Sequence, residues 1–286
     1  MSVVIWADGR LHAPTDRILT GVDHGVTVGD GVFETCAVYA GRAFALTRHL
    51  RRLARSAEGL GLPVPDDGQV RDAVAAVLGA ASDVGRLRIT YTGGPGPLGS
   101  HRDAPDAQRP SLVVLAGPAT RAPSSRVVRV PWVRNERSAV AGLKTTSYAE
   151  NVVALAHAYR QGADEAVLAN TVGELCEGTG SNVVVERGGE LVTPALSSGC
   201  LAGITRELLL EWAPPAGIPV RESREGELPY EVLDEVLAGS AHLALTGSIR
   251  NVSPVLSLDG RDVQAGALCR AAAELFQARA LDDLDP

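Results

Sequence analysis

Lys144 lies in a segment of small and hydroxyl-bearing residues, "LKTTSYAEN", directly before a predicted helix. A lysine amine attacks a carbonyl group only when it is held partly desolvated, because desolvation disfavours its charged form. Small neighbours at the start of a helix would allow such a position. Most lysines, however, are solvated surface charges. Lys144 alone is therefore consistent with a nucleophilic amine or with an ordinary surface residue.

A second segment of chemical interest, "SGCLAGITRELLLEW", places small residues directly before a helix. The backbone N–H groups of Ile204 and Thr205, together with the Thr205 hydroxyl, would point at an anion bound there. The alternative is that Thr205 only caps the helix. A turn at Gly247 and Ser248 offers further donors. The pattern is that of a phosphate site or of a plain helix start.

Glu177 precedes a run of small residues in "ELCEGTGSNVVV", where a carboxylate is a poor strand residue. It is either a turn carboxylate or the partner of a ring nitrogen. A carboxylate that faces a pyridine nitrogen keeps the ring protonated and makes it an electron sink. Pyridoxal 5'-phosphate chemistry requires this of a protein.

The segment "GGPGPLG" contains a G-x-G-x-x-G pattern at Gly94, Gly96 and Gly99. This pattern is the fingerprint of dinucleotide sites when a helix follows it. Two prolines lie inside the segment and no helix is predicted after it, so a nicotinamide site is not expected.

The elements that must position these residues follow from periodicity and turn signals. "VVIWADGRLH" carries an Asp-Gly hairpin signal, and "GVFETCAVYAGRAFAL" is typical of two strands joined at Ala40 and Gly41. The pattern then predicts two helices, "TRHLRRLARSAEGLGL" and "QVRDAVAAVLGAA", followed by two strands, "RLRITYT" and "SLVVLAGPA". Residues 93–110 separate these strands and are too rich in Gly and Pro to be regular.

Residues 119–125 have the composition of a linker. We therefore expect a small N-terminal α/β domain over residues 1–118 and a larger C-terminal, cofactor-binding domain over residues 126–286. The strands predicted beyond the linker are "RVVRVPWV", "DEAVLAN", "SNVVVERGGELVTP" and "HLALTGS", and the helices are "YAENVVALAHAYRQG", "GITRELLLEWA" and "LPYEVLDEVLAG". Ser147 and Glu150 fit a capping box at the start of the first of these helices.

Composition excludes several classes of partner. The 286 residues include 34 acidic and 27 basic ones, which argues against binding nucleic acid. No basic leader and no apolar run of 18 residues is present, so we expect a cytoplasmic protein without a membrane partner. Four scattered cysteines favour neither a metal site nor a disulfide framework; they are Cys36, Cys176, Cys200 and Cys269.

Six segments in order, "GDGVFET", "HLRRL", "LKTTSYAEN", "EGTGSNVV", "GITRE" and "TGSIRNVSPV", resemble the class IV aminotransferases. These are the fold-type IV enzymes that depend on pyridoxal 5'-phosphate, and the resemblance covers nearly the whole chain. It implies an α+β or α/β fold with a small N-terminal α/β domain and a larger, β-barrel-like C-terminal domain flanked by helices. It also implies a homodimer, with the cofactor in the cleft between the domains.

The same resemblance assigns roles by position. Lys144 matches the lysine that holds the cofactor as a Schiff base and then moves the substrate proton, and Glu177 matches the partner of the pyridine nitrogen. The phosphate ligands implied are Arg52, Ile204, Thr205 and Ser248. The pKa of the Lys144 amine, about 10.4 in a model peptide, must fall for this role, and a desolvated place near Arg52 lowers it. Because Lys144 and Glu177 are both present, a binding protein that has lost its catalyst is not expected.

Three subgroups compete within this family: D-amino-acid aminotransferases, 4-amino-4-deoxychorismate lyases and L-branched-chain aminotransferases. "GDGVFET" and "LKTTSYAEN" resemble the first two, and the Tyr-Arg-Pro strand typical of the third is replaced by "RITYTGG". We interpret the chain as an aminotransferase that moves amino groups from D-amino acids to 2-ketoacids, with (R)-primary amines as a further donor class. The alternative is the lyase, which eliminates pyruvate from aminodeoxychorismate and leaves 4-aminobenzoate.

Most candidate substrate residues have a second interpretation. His101 and Arg102 lie in the loop that carries the carboxylate ligands of the D-amino-acid group, but they are equally consistent with exposed residues. Arg250 is a second cation for that carboxylate or a salt-bridge residue. Phe33 stands where D-amino-acid enzymes often have tyrosine, which makes the pocket wall more apolar. Tyr148 lies near the cofactor or belongs to the core.

Overall fold

The computed structural model describes residues 3–286 and divides into two compact units. The first unit contains the described residues up to Thr120 together with Leu143–Tyr148 and Asp283–Pro286, and the second contains Arg121–Gly142 and Ala149–Asp282. Lys144 therefore belongs by its contacts to the first unit, although it follows the predicted linker in sequence. The predicted division at residues 119–125 stays a prediction.

The first unit is a six-stranded antiparallel sheet with helices. Its elements are β1 (Val4–Ala7), β2 (Arg10–His12), α1 (His24–Thr27), β3 (Gly31–Tyr39), β4 (Arg42–Ala43), α2 (Leu46–Leu60), α3 (Asp67–Ala80), β5 (Arg86–Thr92) and β6 (Ser111–Gly117). The strand order is β2-β1-β6-β5-β3-β4. The predicted hairpin at Asp8 and Gly9 is confirmed, and both residues have positive φ, as a tight two-residue turn requires.

The two faces of this sheet differ in chemistry. One face packs against α2 and α3, where Val32, Cys36, Leu87 and Ile89 join a buried apolar cluster with helix residues such as Leu53. Burial of this apolar surface is the main force that holds the unit together. Successive strand residues point to opposite sides, so the other face carries a second set of side chains, which includes Phe33, Thr35, Arg88 and Thr90.

The second unit contains the remaining elements: β7 (Ser125–Arg134), α4 (Ala149–Arg160), β8 (Glu165–Asn170), β9 (Leu175–Gly178), β10 (Asn182–Arg187), β11 (Glu190–Thr193), α5 (Ile204–Trp212), β12 (Val220–Glu222), α6 (Val232–Ala238), β13 (His242–Gly247), β14 (Asn251–Leu258), β15 (Arg261–Asp262) and α7 (Ala267–Asp282). Six strands close on themselves in the order β10-β13-β14-β7-β8-β9, and Asn182 pairs with Glu177 to complete the ring. The predicted mixed fold with a barrel-like C-terminal part and flanking helices is confirmed.

Several local predictions differ from the structure; strands β9 and β14, for example, were not predicted. Helix α4 begins at Ala149, and the Ser147 hydroxyl donates to the Gly29 carbonyl (2.9 Å), so the chain through Ser147 follows the sheet of the first unit. Helix α7 was not predicted, although its buried residues Cys269, Ala272 and Phe276 recur at helical spacing.

Within residues 3–286, no helix is both long and apolar enough to cross a membrane. The same part of the chain contains no group of three or more His, Cys, Asp or Glu side chains placed to hold a metal ion, and its four cysteines are buried and free.

Candidate functional site

Lys144 is held against the edge of β3 by its backbone. The Phe33 N–H donates to the Lys144 carbonyl (3.0 Å), and the Thr146 N–H donates to the Gly31 carbonyl (2.7 Å). The Lys144 N–H in turn donates to Ser56 Oγ on α2 (3.2 Å). A strand and a helix that precede it by about 100 residues therefore position this lysine.

The amine of Lys144 lies over an aromatic ring. Nζ is 4.5 Å from the centre of the Phe33 ring and 6.0 Å from that of Tyr148, and the two rings meet edge to face at 5.3 Å. A ring face attracts the ammonium form but offers fewer hydrogen bonds than water does. The structure thus brings together three predicted site residues, Lys144, Phe33 and Tyr148, within the first unit.

Arg52 lies on the buried side of α2, where a carboxylate holds it. Its Nε and Nη2 donate to Oε1 and Oε2 of Glu34 at 2.7 Å each, and Nδ1 of His49 lies 2.7 Å from Oε2. Burial would raise the pKa of Glu34, but Arg52 and then His49 hold it well below its usual range. Burial lowers the pKa of His49, and the opposing pull of Glu34 does not offset this. The cluster contains an ionised carboxylate and an oriented guanidinium.

His101 and Arg102 are placed differently from each other. His101 is exposed. Arg102 forms a two-point ion pair with Asp30 (Nε–Oδ2 2.7 Å, Nη2–Oδ1 2.6 Å) and donates to the carbonyls of Leu60 and Gly61 at the end of α2. The Arg102 guanidinium therefore connects the loop of residues 93–110 to the C-terminal end of α2.

Glu177 lies on β9 in the second unit and contacts a backbone donor and a guanidinium. Its Oε2 accepts from the Leu201 N–H (2.9 Å), and its Oε1 lies 3.2 Å from Nε of Arg134. The Arg134 guanidinium also donates to Oδ1 of Asn151 (3.2 Å). A carboxylate fixed beside a guanidinium is suited to accept a hydrogen bond from a protonated ring nitrogen.

The start of α5 fits a phosphate group. Gly203 is its N-cap residue and supplies no side chain as a cap, while Ile204 and Thr205 follow as buried residues of the first turn. A Cβ at Gly203 would overlap Oδ1 of Asn182, so a larger residue requires the buried Asn182 side chain or the helix start to move. On β13, the buried hydroxyl of Thr246 has no hydrogen-bond partner among residues 3–286. Unpaired donors at a helix start and on a nearby strand end are what a phosphate needs.

Ser248 and Arg250 lie in the turn between β13 and β14. Arg250 donates from Nη2 to Oε2 of Glu165 and from Nη1 to Ser125 Oγ, at 2.9 Å each. Glu165 is buried and also accepts from the hydroxyls of Thr179 and Ser181. The Arg250 guanidinium is therefore paired with a carboxylate of its own unit.

Several supporting residues were not found from the sequence. Glu34 had the clearest signal, because strand alternation places it on the same face as Val32 and Cys36, where a carboxylate needs a buried partner. Arg134 and Glu165 lie far in sequence from the groups they bind, so local patterns do not reveal them.

The chain is similar to known proteins of one family. Residues 31–258 match the family model for amino-transferase class IV. A Mycobacterium tuberculosis protein named bifunctional aminodeoxychorismate lyase / D-amino acid transaminase is 30% identical, with 98% of this chain and 100% of that protein covered.

Two solved structures are similar over 99% of this chain. One is a hypothetical aminotransferase from M. tuberculosis in its PLP-bound form (TM-score 0.83, 28% identity, 100% of that chain). The other is a branched-chain aminotransferase from Thermoproteus uzoniensis with norvaline (TM-score 0.85, 29% identity, 96% of that chain).

Proposed function

The chain belongs to the class IV aminotransferases, whose cofactor is pyridoxal 5'-phosphate, and we propose that it transfers amino groups from D-amino acids to 2-ketoacids. The observation that carries the amino-transfer chemistry is the Lys144 amine, which the pairing with β3 holds over Phe33. The M. tuberculosis relative, whose name includes D-amino acid transaminase, supports D-amino acids as donors.

The family resemblance names the residues that would hold the cofactor. Arg52 and the start of α5 at Ile204 and Thr205 would bind its phosphate, with Ser248 as a further ligand. Thr246 joins this set because its hydroxyl lacks a partner among the described residues. Glu177 would bind the ring nitrogen. When bound, the cofactor supplies an electron sink for the bond that breaks at the substrate's α carbon.

Side chains of the protein would transfer the substrate proton and place charges next to the cofactor. Lys144 Nζ would take the proton from the substrate's α carbon and return it to the carbon on the other side of the substrate nitrogen, a role for a positioned base that typically contributes 10²–10⁴-fold in rate. Arg134 places a positive charge 3.2 Å from the Glu177 carboxylate. Glu34 fixes the direction of the Arg52 guanidinium.

A second candidate is the aminodeoxychorismate lyase, because the name of the same relative contains both activities. The lyase uses the same amine and differs in the bond that breaks, which releases pyruvate. Lys144, Glu177 and the phosphate residues would serve either reaction, so substrate turnover must separate the two activities.

The purified protein is assayed with three substrates, D-alanine, aminodeoxychorismate and L-leucine. D-alanine with 2-oxoglutarate yields pyruvate and glutamate if the proposal holds. Pyruvate and 4-aminobenzoate from aminodeoxychorismate alone would favour the lyase, and turnover of L-leucine without D-alanine would favour the branched-chain subgroup. The Lys144→Ala variant must lose every activity. We also expect a homodimer, which light scattering on the eluted protein would measure.

A further inference from the structure

We propose that the guanidinium of Arg88 binds the α-carboxylate of the amino acid substrate. The inference rests on the proposed function and extends it, since it assigns the residue that distinguishes amino acids from simple amines.

Arg88 is placed in the middle of the sheet of the first unit. It lies on β5, between β3 and β6, and its neighbours in register are Thr35 and Leu115. These residues belong to the face opposite the buried cluster on α2 and α3. A charged side chain in the centre of a sheet is costly unless it has a partner.

No carboxylate among the described residues pairs with Arg88. Its Cζ lies 3.9 Å from the centre of the Phe33 ring, and its Nε donates to Thr90 Oγ1 at 3.3 Å. Desolvation lowers the pKa of Arg88, as does the charge of Arg86, while Tyr148 opposes this. A half-buried guanidinium that lacks an anion is stabilised by binding one.

Phe33 connects this cation to the reacting amine. The Lys144 amine lies 4.5 Å from the centre of the ring that Arg88 stacks on. In an α-amino acid, the amino group and the carboxylate are attached to the same carbon. A reacting amine and a guanidinium beside one ring therefore match the two polar ends of such a molecule, and the guanidinium can bind the carboxylate through two parallel hydrogen bonds.

The other arginines predicted to bind the substrate already have carboxylate partners. Arg102 pairs with Asp30, and Arg250 pairs with Glu165. An amine without a carboxylate would leave Arg88 unpaired, so this residue selects for amino acids.

The test uses D-alanine and isopropylamine, which differ only in that a methyl group replaces the carboxylate. Single turnovers of each donor with the holoenzyme are followed by the absorbance of the cofactor. In Arg88→Gln, we expect kcat/KM for D-alanine to fall about a hundredfold or more, because a charged hydrogen-bonded contact is lost, while isopropylamine reacts as fast as before or faster. Arg86→Gln, which removes an exposed arginine of the same strand, should leave both rates unchanged. Equal losses for both donors in Arg88→Gln, or no loss, would overturn the inference.

A second test does not depend on turnover: calorimetry measures how tightly the holoenzyme binds propanoate, which has a carboxylate but no amino group. Weaker binding by Arg88→Gln than by the wild type supports the carboxylate site even if D-alanine is not a donor, and in that case only the proposed function fails. Equal binding overturns the inference. Arg88→Lys keeps the positive charge without the two-point geometry and should bind propanoate with intermediate affinity, which provides a folded variant if Arg88→Gln is unstable.

Discussion

Arg52 and Glu34 form two parallel hydrogen bonds inside the first unit, from Nε to Oε1 and from Nη2 to Oε2, each 2.7 Å long. Both side chains are buried, with exposed fractions of 4% and 0%. Because two-point pairing sets the direction of a guanidinium, the orientation of Arg52 depends on Glu34.

Glu34→Gln removes the negative charge from this cluster and leaves the Arg52 cation buried without its counter-charge. Loss of one partner of a buried ion pair costs about 3–5 kcal/mol, so we expect the free energy of unfolding to fall by about 3 kcal/mol. Urea denaturation measures it. Glu58→Gln on the exposed side of α2 is the control and should change stability by less than about 0.5 kcal/mol. A loss no larger than that in Glu34→Gln would contradict the role of this pair.

His49 should make stability depend on pH. Its pKa in the folded protein is lowered, mainly by burial, and in the unfolded chain it is about 6.5. The unfolded state therefore binds more protons as pH falls below about 6.5, and stability decreases in that range. His49→Asn keeps a donor for Glu34 and should flatten this decrease in urea titrations from pH 7 to pH 5. His101→Asn, at an exposed position, should leave the decrease intact; an unchanged slope in His49→Asn would contradict the assignment.

Glu177→Gln keeps an oxygen that can accept from the Leu201 N–H but removes the charge beside Arg134. If Glu177 binds the ring nitrogen, amino transfer should slow by about a hundredfold, the scale of losing one preorganised electrostatic contact. Stopped-flow measurement of the first half-reaction tests this. The exposed Glu225→Gln variant should react normally, and normal rates in Glu177→Gln would exclude the assignment.

Gly203→Ala should weaken cofactor binding. The added Cβ would overlap Oδ1 of Asn182, whose amide donates to the Leu201 carbonyl (2.7 Å), so either this side chain or the helix start must shift. We expect the Kd for pyridoxal 5'-phosphate to rise tenfold or more, as measured by fluorescence titration. Gly79→Ala on α3 meets no atom within 4 Å and should bind the cofactor normally and gain about 0.5–1 kcal/mol of stability. Equal affinity in both variants would argue against the phosphate site.

Asp30 and Arg102 should be coupled energetically. A double-mutant cycle with Asp30→Asn and Arg102→Gln is expected to give about 1 kcal/mol, since the pair is partly exposed but has two contacts. The exposed pair Asp67 and Arg71 on α3 provides a matched cycle, which should give about 0.5 kcal/mol or less. No coupling between Asp30 and Arg102 would mean that Arg102 is available for another partner.

The elements that depend on local pattern were predicted well. Helices α2 and α3, the hairpin at Asp8 and Gly9, and strands β5 and β6 lie where periodicity and turn residues place them. The capping box at Ser147 was wrong for α4, because its hydroxyl binds a distant carbonyl instead. A local motif competes with tertiary hydrogen bonds, and nothing in the neighbouring residues shows which of them forms.

The sequence by itself determined the family, the cofactor and the mixed fold, because six ordered segments and the hydrophobic period of each element are properties of nearby residues. Only the tertiary structure decided which cations have carboxylate partners. Arg102 and Arg250 are paired, whereas Arg88 stacks on Phe33 with no acidic partner in the described chain. The physical reason is that an ion pair depends on distances of a few ångströms between side chains that are tens of residues apart, and these distances are set by strand register and helix packing.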